Sequence, residues 1–147
     1  MDVPSLEDWH NEPWEIDTPY AYQNFYGLDL HDATLLFHDG KSLHRQENLV
    51  YMPSRVFRYY VKAFVAYLLS GEAMEDSDGA SGFISMLELK IRRRLGDVLA
   101  VWNDIRPALI RLSEDQAFYA ADPRIYGDFR TRIKHLGELG IDIPPPE

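Results

Sequence analysis

Cysteine is missing altogether, which excludes disulfides, thiolate metal centres and a cysteine nucleophile. The absence suits a reducing compartment, and a cytoplasmic location is the expectation. Long apolar runs are scarce as well. The longest, residues 56–69, covers 14 positions and is interrupted by Arg58 and Lys62. A bilayer core requires about 20 residues, so no membrane span is expected. The first residues, MDVPSLEDWH, carry neither a basic n-region nor an apolar h-region, so no secretory signal is expected. Cations form the third deficit: 15 Lys and Arg face 24 Asp and Glu, a net charge of −9.

That charge is unevenly placed. Residues 1–50 hold ten acids (Asp2, Glu7, Asp8, Glu12, Glu15, Asp17, Asp29, Asp32, Asp39, Glu47) against Lys41 and Arg45, which is −8 of the total and leaves −1 for the rest. A nucleic-acid partner requires a basic face that neutralises phosphates, so none is expected. A basic protein partner fits the balance better.

What is present reads as one globular domain. The chain has 147 residues, 46% apolar and 27% charged, ordinary values for a folded domain. Roughly 70% of the unfolded surface is buried at this size. Residues 1–52 form an acidic, aromatic N-terminal segment, expected to pack on a helical core over 53–140, with 141–147 a frayed tail. Trp9, Trp14, Tyr20, Tyr22, Phe25 and Tyr26 read as pegs holding the segment to the body. Pro4 and Ser5 suit the start of a short helix through Asp8, and Pro13 and Pro19 favour an extended path. Residues 28–50 support two readings. Ala33 to Phe37 can be a strand of a short β-hairpin turning at Asp39 and Gly40, or residues 28–37 can be a short helix stopped by Gly40.

The next segment is unambiguous. A helix begins at Pro53 or Ser54 and stops at Gly71. Arg55, Arg58 and Lys62 share one stripe, and the remainder is apolar, which marks a central helix with Phe57, Tyr60, Phe64 and Leu68 in the core. Residues 72–82 (EAMEDSDGASG) read as an acidic loop. A long helix then starts near Phe83, capped by Ser81 or by Ser85 with Glu88. Its inward face is Ile84, Leu87, Ile91, Leu95, Val98, Trp102 and Ile105, and Pro107 must kink or restart it. Ser113 and Gln116 suit a cap for a short helix toward Ala121. Asp122 and Pro123 open a last helix with Ile125, Phe129, Ile133 and Leu136 inside, ended by Gly137 or Gly140. The fold class is therefore mainly α, a single-domain bundle of about four or five helices.

Few side chains suggest chemistry. No catalytic set and no cofactor-binding signature is present. Asp29, His31, Asp32, His38 and Asp39 form the densest polar cluster, and such residues can hold a divalent metal. Residues 35–41 (LLFHDGK) also resemble the His-Asp signature of HD phosphohydrolases, a helical metal-dependent superfamily. The resemblance implies a metal held by the His38–Asp39 pair, and with the surrounding cluster the alternative reading is a metal-dependent hydrolase using His31, His38 and Asp39. The family's spacer between its Asp and Gly is absent, however, and the upstream histidine would have to be His10. The plainer reading is a polar turn beside a surface histidine.

Other constellations fail on spacing. Placing Gly79 at the obligatory glycine of an EF-hand puts Met74 and Ser85 at ligand positions, so the acidic loop reads as solvated. Residues 79–82 have the glycine pattern of neither a nucleophile elbow nor a phosphate loop. Arg92, Arg93 and Arg94 point over about 200° of a regular helix and cannot form one clamp. They read as surface partners of Glu88 and Asp97. Arg55, Arg58 and Lys62 read as partners of the acids in residues 1–50. Phe57, Tyr59, Tyr60, Phe64 and Tyr67 have the spacing of a core.

Residues 51–64 (YMPSRVFRYYVKAF) resemble a segment of small bacterial proteins in which proline opens a helix bearing an apolar–Arg–Tyr–Tyr core. Some of those are similar to immunity or antidote proteins encoded beside toxins. The resemblance implies a non-enzymatic, acidic binding module covering a basic partner, with Asp29, Asp32, Asp39, Glu75, Asp76 and Asp78 in the contact. An assembly protein is the remaining reading, with Trp9 and Trp14 either at an oligomer interface or, more simply, packed within the chain.

Overall fold

The sixteen-residue helix that carries the longest apolar run ends up at the centre of the molecule. In the computed structural model, which describes residues 1–139, the helices in chain order are α1 (Leu6–Trp9), α2 (Thr18–Phe25), α3 (Leu30–Leu35), α4 (Ser42–Val50), α5 (Ser54–Leu69), α6 (Ser77–Ala100), α7 (Trp102–Glu114), α8 (Pro123–Tyr126) and α9 (Phe129–Gly137). Short 3-10 turns occupy Gly71–Ala73 and Gln116–Tyr119. The central helix is α5, packed against α1, α3, α4, α6 and α7. Phe57, Tyr60, Phe64 and Leu68 have no exposed surface, as its girdle of apolar residues requires.

The described residues are mainly helical and contain no strand, and the helices are more numerous and shorter than four or five. The β-hairpin reading of residues 28–50 is incorrect. Ala33 and Phe37 are fully buried while Leu35 is half exposed, a spacing of four that a strand cannot produce. Phe37 stacks on Phe64 at 4.6 Å, and the Asp29 carboxylate caps α3 by accepting from the Asp32 amide at 2.8 Å. The Asp39–Gly40 turn exists, with φ of 59° and 75°, but it joins two helices.

The N-terminal segment is also more helical than its prolines suggest. Ser5 and Asp8 form a reciprocal capping box on α1. Pro19 lies in the first turn of α2, where its missing N–H costs nothing. Tyr26 follows the end of α2 and stacks on Tyr22 at 4.7 Å. Trp9 and Phe25 are fully buried, whereas Tyr20 and Tyr26 are exposed.

The acidic loop expected over 72–82 is shorter than that, ending at Asp76. Helix α6 begins at Ser77, and its cap is Asp76, whose Oδ1 accepts from the Gly79 amide at 3.0 Å. The small residues are there because α4 crosses at this point. A Cβ on Gly79 would stand 2.3 Å from Asp76 Oδ2 and 2.6 Å from Ser42 Oγ, and one on Gly82 would stand 2.8 Å from Gln46 Oε1. Asp76 Oδ2 itself accepts from Ser42 Oγ at 2.7 Å and from the Tyr67 hydroxyl at 2.6 Å, so it cannot yield. Gly79→Ala is expected to destabilise the protein by about 1–3 kcal/mol in urea denaturation, despite alanine's better helix propensity. Gly96→Ala, whose Cβ would meet nothing within 4 Å, is expected to stabilise by about 0.5–1 kcal/mol. Equal effects at the two sites would refute the close-crossing account.

Downstream, Pro107 lies inside α7 without breaking it. The irregular points fall earlier, at Arg94 (φ −152°, ψ 75°) and at Val101 (φ −114°, ψ 12°). Ser113 does not open a helix either; its hydroxyl donates back to the Leu109 carbonyl at 2.9 Å. The last helix is split at Gly127, φ 78°, with Asp128 capping α9. The split leaves Ile125 74% exposed, contrary to its expected place inside, while Phe129, Ile133 and Leu136 are buried. The expected proline tail and the Gly140 stop lie outside the described residues. No helix among those residues is long and apolar enough to cross a membrane.

Candidate functional site

Two charged regions stand out on the fold, one acidic and one of mixed sign. The acidic region is built on α3, the turn after it, and the approach to α6. Asp29, Asp32, Asp39, Glu75 and Asp78 are exposed. Glu75 sits at positive φ, 66°, fixed by its amide's bond to the Phe118 carbonyl at 2.9 Å. Asp78 accepts from the Tyr126 hydroxyl at 2.9 Å. Asp76 is different: its three internal hydrogen bonds make it the joint between α4, α5 and α6 rather than a free contact residue.

The two candidate histidines, His31 and His38, lie in different places. Asp29, His31 and Asp32 bring one ligand atom each within 4.8 Å of one another, all on exposed side chains. His31 Nδ1 lies 3.3 Å from Asp32 Oδ1. Neither His38 nor Asp39 belongs to that group; the His38 ring packs against Tyr67 at 5.4 Å. Trp9 is fully buried and so is not available to an oligomer interface, and the Trp14 indole donates to the Trp9 carbonyl at 2.6 Å.

The second region is a small cleft between the N-terminal segment and the middle of α6, lined by Glu12, Glu15, Tyr51, Lys90, Arg93 and Arg94 among others. At its base Lys90 Nζ bonds Asp97 Oδ2 at 2.8 Å, with residue exposures of only 1% and 3%. The ammonium also lies 4.4 Å from the centroid of the Phe57 ring. Burial pushes the Lys90 pKa down, the bond to Asp97 and its charge pull it back up, and Arg94 and Arg93 lower it again.

Only part of the expected pairing of the arginine run holds. Arg92 meets Glu88 at 3.5 Å. Arg93 does not meet Asp97; it pairs with Glu15, and Arg94 pairs with Glu12. The reason is the backbone break at Arg94, which disrupts the regular i,i+4 geometry and frees Asp97 to turn inward. The same break undoes the expected 200° fan, so two consecutive arginines line one cleft. On α5, Arg55 meets Asp8 at 3.2 Å.

No known protein family, curated protein or solved structure matches the chain. The site must therefore be read from its own chemistry. One signal in the sequence pointed to the buried pair: Lys90 falls three residues after Leu87 on the apolar side of α6, where a charge demands a partner. Nothing local pointed to Glu12 and Glu15, which lie far from their arginines in sequence.

Proposed function

We propose that this protein is a non-enzymatic acidic module that binds a basic protein, an inhibitor of the immunity type. The observation that carries the reading is how its acids are distributed. Asp8, Glu12 and Glu15 are consumed by Arg55, Arg94 and Arg93. Asp29, Asp32, Asp39 and Glu75 have no Lys or Arg within ion-pair distance among the described residues, and Asp32 meets only His31. These four acids are exposed and add to an overall acidic excess, which supports steering of a positively charged surface.

The test is a charge-neutral variant, D29N/D32N/D39N/E75Q. Asparagine preserves the cap at position 29, so the melting temperature should stay within about 3 °C of the parent. The parent, used as bait in an extract of its native host, should retain a basic protein that is released at about 1 M salt, where the Debye length shrinks to about 3 Å. The variant should retain at least about tenfold less of it. Equal retention by bait and variant would end this reading.

A further inference from the structure

Helix α5 lacks a cap of its own. Its N-cap residue is Pro53, with no side-chain hydrogen bond, and the Ser54 amide donates instead to Glu12 Oε2 at 3.1 Å. The other oxygen of that carboxylate receives the Arg94 guanidinium, whose Nη1 also lies 3.0 Å from Ser54 Oγ. Glu15 receives Arg93, and the Arg93 guanidinium lies over the Tyr51 ring at 5.1 Å. Two guanidiniums therefore line one cleft, with a helix N-terminus and its Ser54 hydroxyl at the edge, next to Pro53. These are the donors that hold phosphate oxygens in proteins generally.

We propose that this cleft is a binding site for a phosphate dianion, and that Glu12 and Glu15 are its internal stand-ins. Charge sets the ligand class. The Lys90–Asp97 pair sums to zero, so Arg93 and Arg94 alone are matched by the two glutamates. Swinging both carboxylates away leaves two positive charges, which a phosphate or phosphomonoester dianion neutralises. The movement is small. Trp14 stays anchored to the Trp9 carbonyl and stacked on His10 at 4.5 Å, so only the glutamate side chains need rotate. Their ion pairs are partly exposed, with side-chain exposures of 41% for Glu15 and 23% for Glu12, and such pairs are individually weak.

The experiment compares inorganic phosphate and phenyl phosphate by calorimetry on the full chain in low salt. E12Q/E15Q is expected to bind at least one of them about tenfold more tightly than the parent, and adding R94Q should remove the gain. Tighter binding of phenyl phosphate assigns an esterified ligand, and tighter binding of inorganic phosphate assigns the free ion; either supports the site. No gain in E12Q/E15Q, or a gain that survives R94Q, overturns it. Should the double variant fail to fold, E15Q alone keeps the Glu12 cap on Ser54 and is expected to gain about threefold. An absence of gain there overturns the proposal equally.

Discussion

Asp97→Ala is expected to destabilise the protein by about 3–5 kcal/mol, as measured by urea denaturation. The substitution removes few contacts, and its effect arises from what it abandons. Lys90 is almost completely enclosed and its only ion-pair partner among the described residues is Asp97. Without the carboxylate, the ammonium must remain charged in an apolar setting or lose its proton. Either route draws on a total stability of only about 5–15 kcal/mol. A second consequence distinguishes this account from simple loss of packing. Burial already holds the Lys90 pKa below its usual 10.5, and removing Asp97 deletes the interaction that raises it. The unfolded chain then binds a proton that the folded chain has lost, so the stability of Asp97→Ala should climb as pH rises toward 10.5. Replacing both partners, K90M/D97L, should recover most of the loss, because two apolar side chains leave no buried charge behind. A loss below about 1 kcal/mol for Asp97→Ala would show that the pair is not enclosed as described.

This pair also explains the shape of α6. Lys90 and Asp97 lie seven residues apart on the same helix, on either side of the break at Arg94. In a regular helix their Cα atoms would be about 10 Å apart along the axis, and the 2.8 Å bond ties the two halves across the irregular residue. The break in turn presents Arg93 and Arg94 to Glu15 and Glu12. A single buried ion pair thus connects the core to the charged cleft.

What sequence reasoning could reach follows from the range of the interactions involved. Helix α5 was legible because its signals are local: proline at the start, glycine past the end, and a polar stripe between. The α1 cap was legible for the same reason. The start of α6 was not, because Gly79, Ser81 and Gly82 have the composition of a loop. Only the crossing of α4, through Ser42 and Gln46, shows why small residues belong inside that helix. Residues 28–50 were ambiguous since six helical residues carry too little periodicity to separate two spacings. Glu12 and Glu15 meet arginines separated from them by 82 and 78 residues, a pairing that no local pattern encodes. The individual acids Asp29, Asp32, Asp39 and Glu75 were legible as candidates, whereas the internal use of Asp76 required the positions of Ser42 and Tyr67.

Alkaline pH should unfold the protein abruptly. Three of its nine tyrosines place their hydroxyls in the interior. The Tyr60 hydroxyl lies 2.8 Å from the carbonyls of Phe25 and Leu28 and donates between them. Tyr119 donates to the Leu68 carbonyl at 2.6 Å, and Tyr67 donates to Asp76. Burial is the main cause that raises all three above the ordinary value of 10.0. The negative charge of Asp76 adds to the effect on Tyr67, and Tyr119 is pushed up to about 12. Since the folded values lie above the unfolded ones, the stability these groups contribute is complete below pH 10 and is lost as pH rises beyond it. Each group contributes a slope of at most about 1.4 kcal/mol per pH unit, so the three together remove about 3 kcal/mol between pH 10 and 11, with a further loss toward pH 12. Such a loss is comparable to the whole stability of a domain this size. The lowered pKa of Lys90 acts in the opposite direction, but its effect is complete near its unfolded value of 10.5 and cannot offset the decline above it. The expected result is a phenolate absorbance titration in two stages, with exposed tyrosines ionising first, Tyr59, also raised by burial, after them, and the three interior hydroxyls only together with loss of helical circular dichroism. Reversible ionisation of all nine near pH 10, with helicity intact, would mean that these hydroxyls are not enclosed.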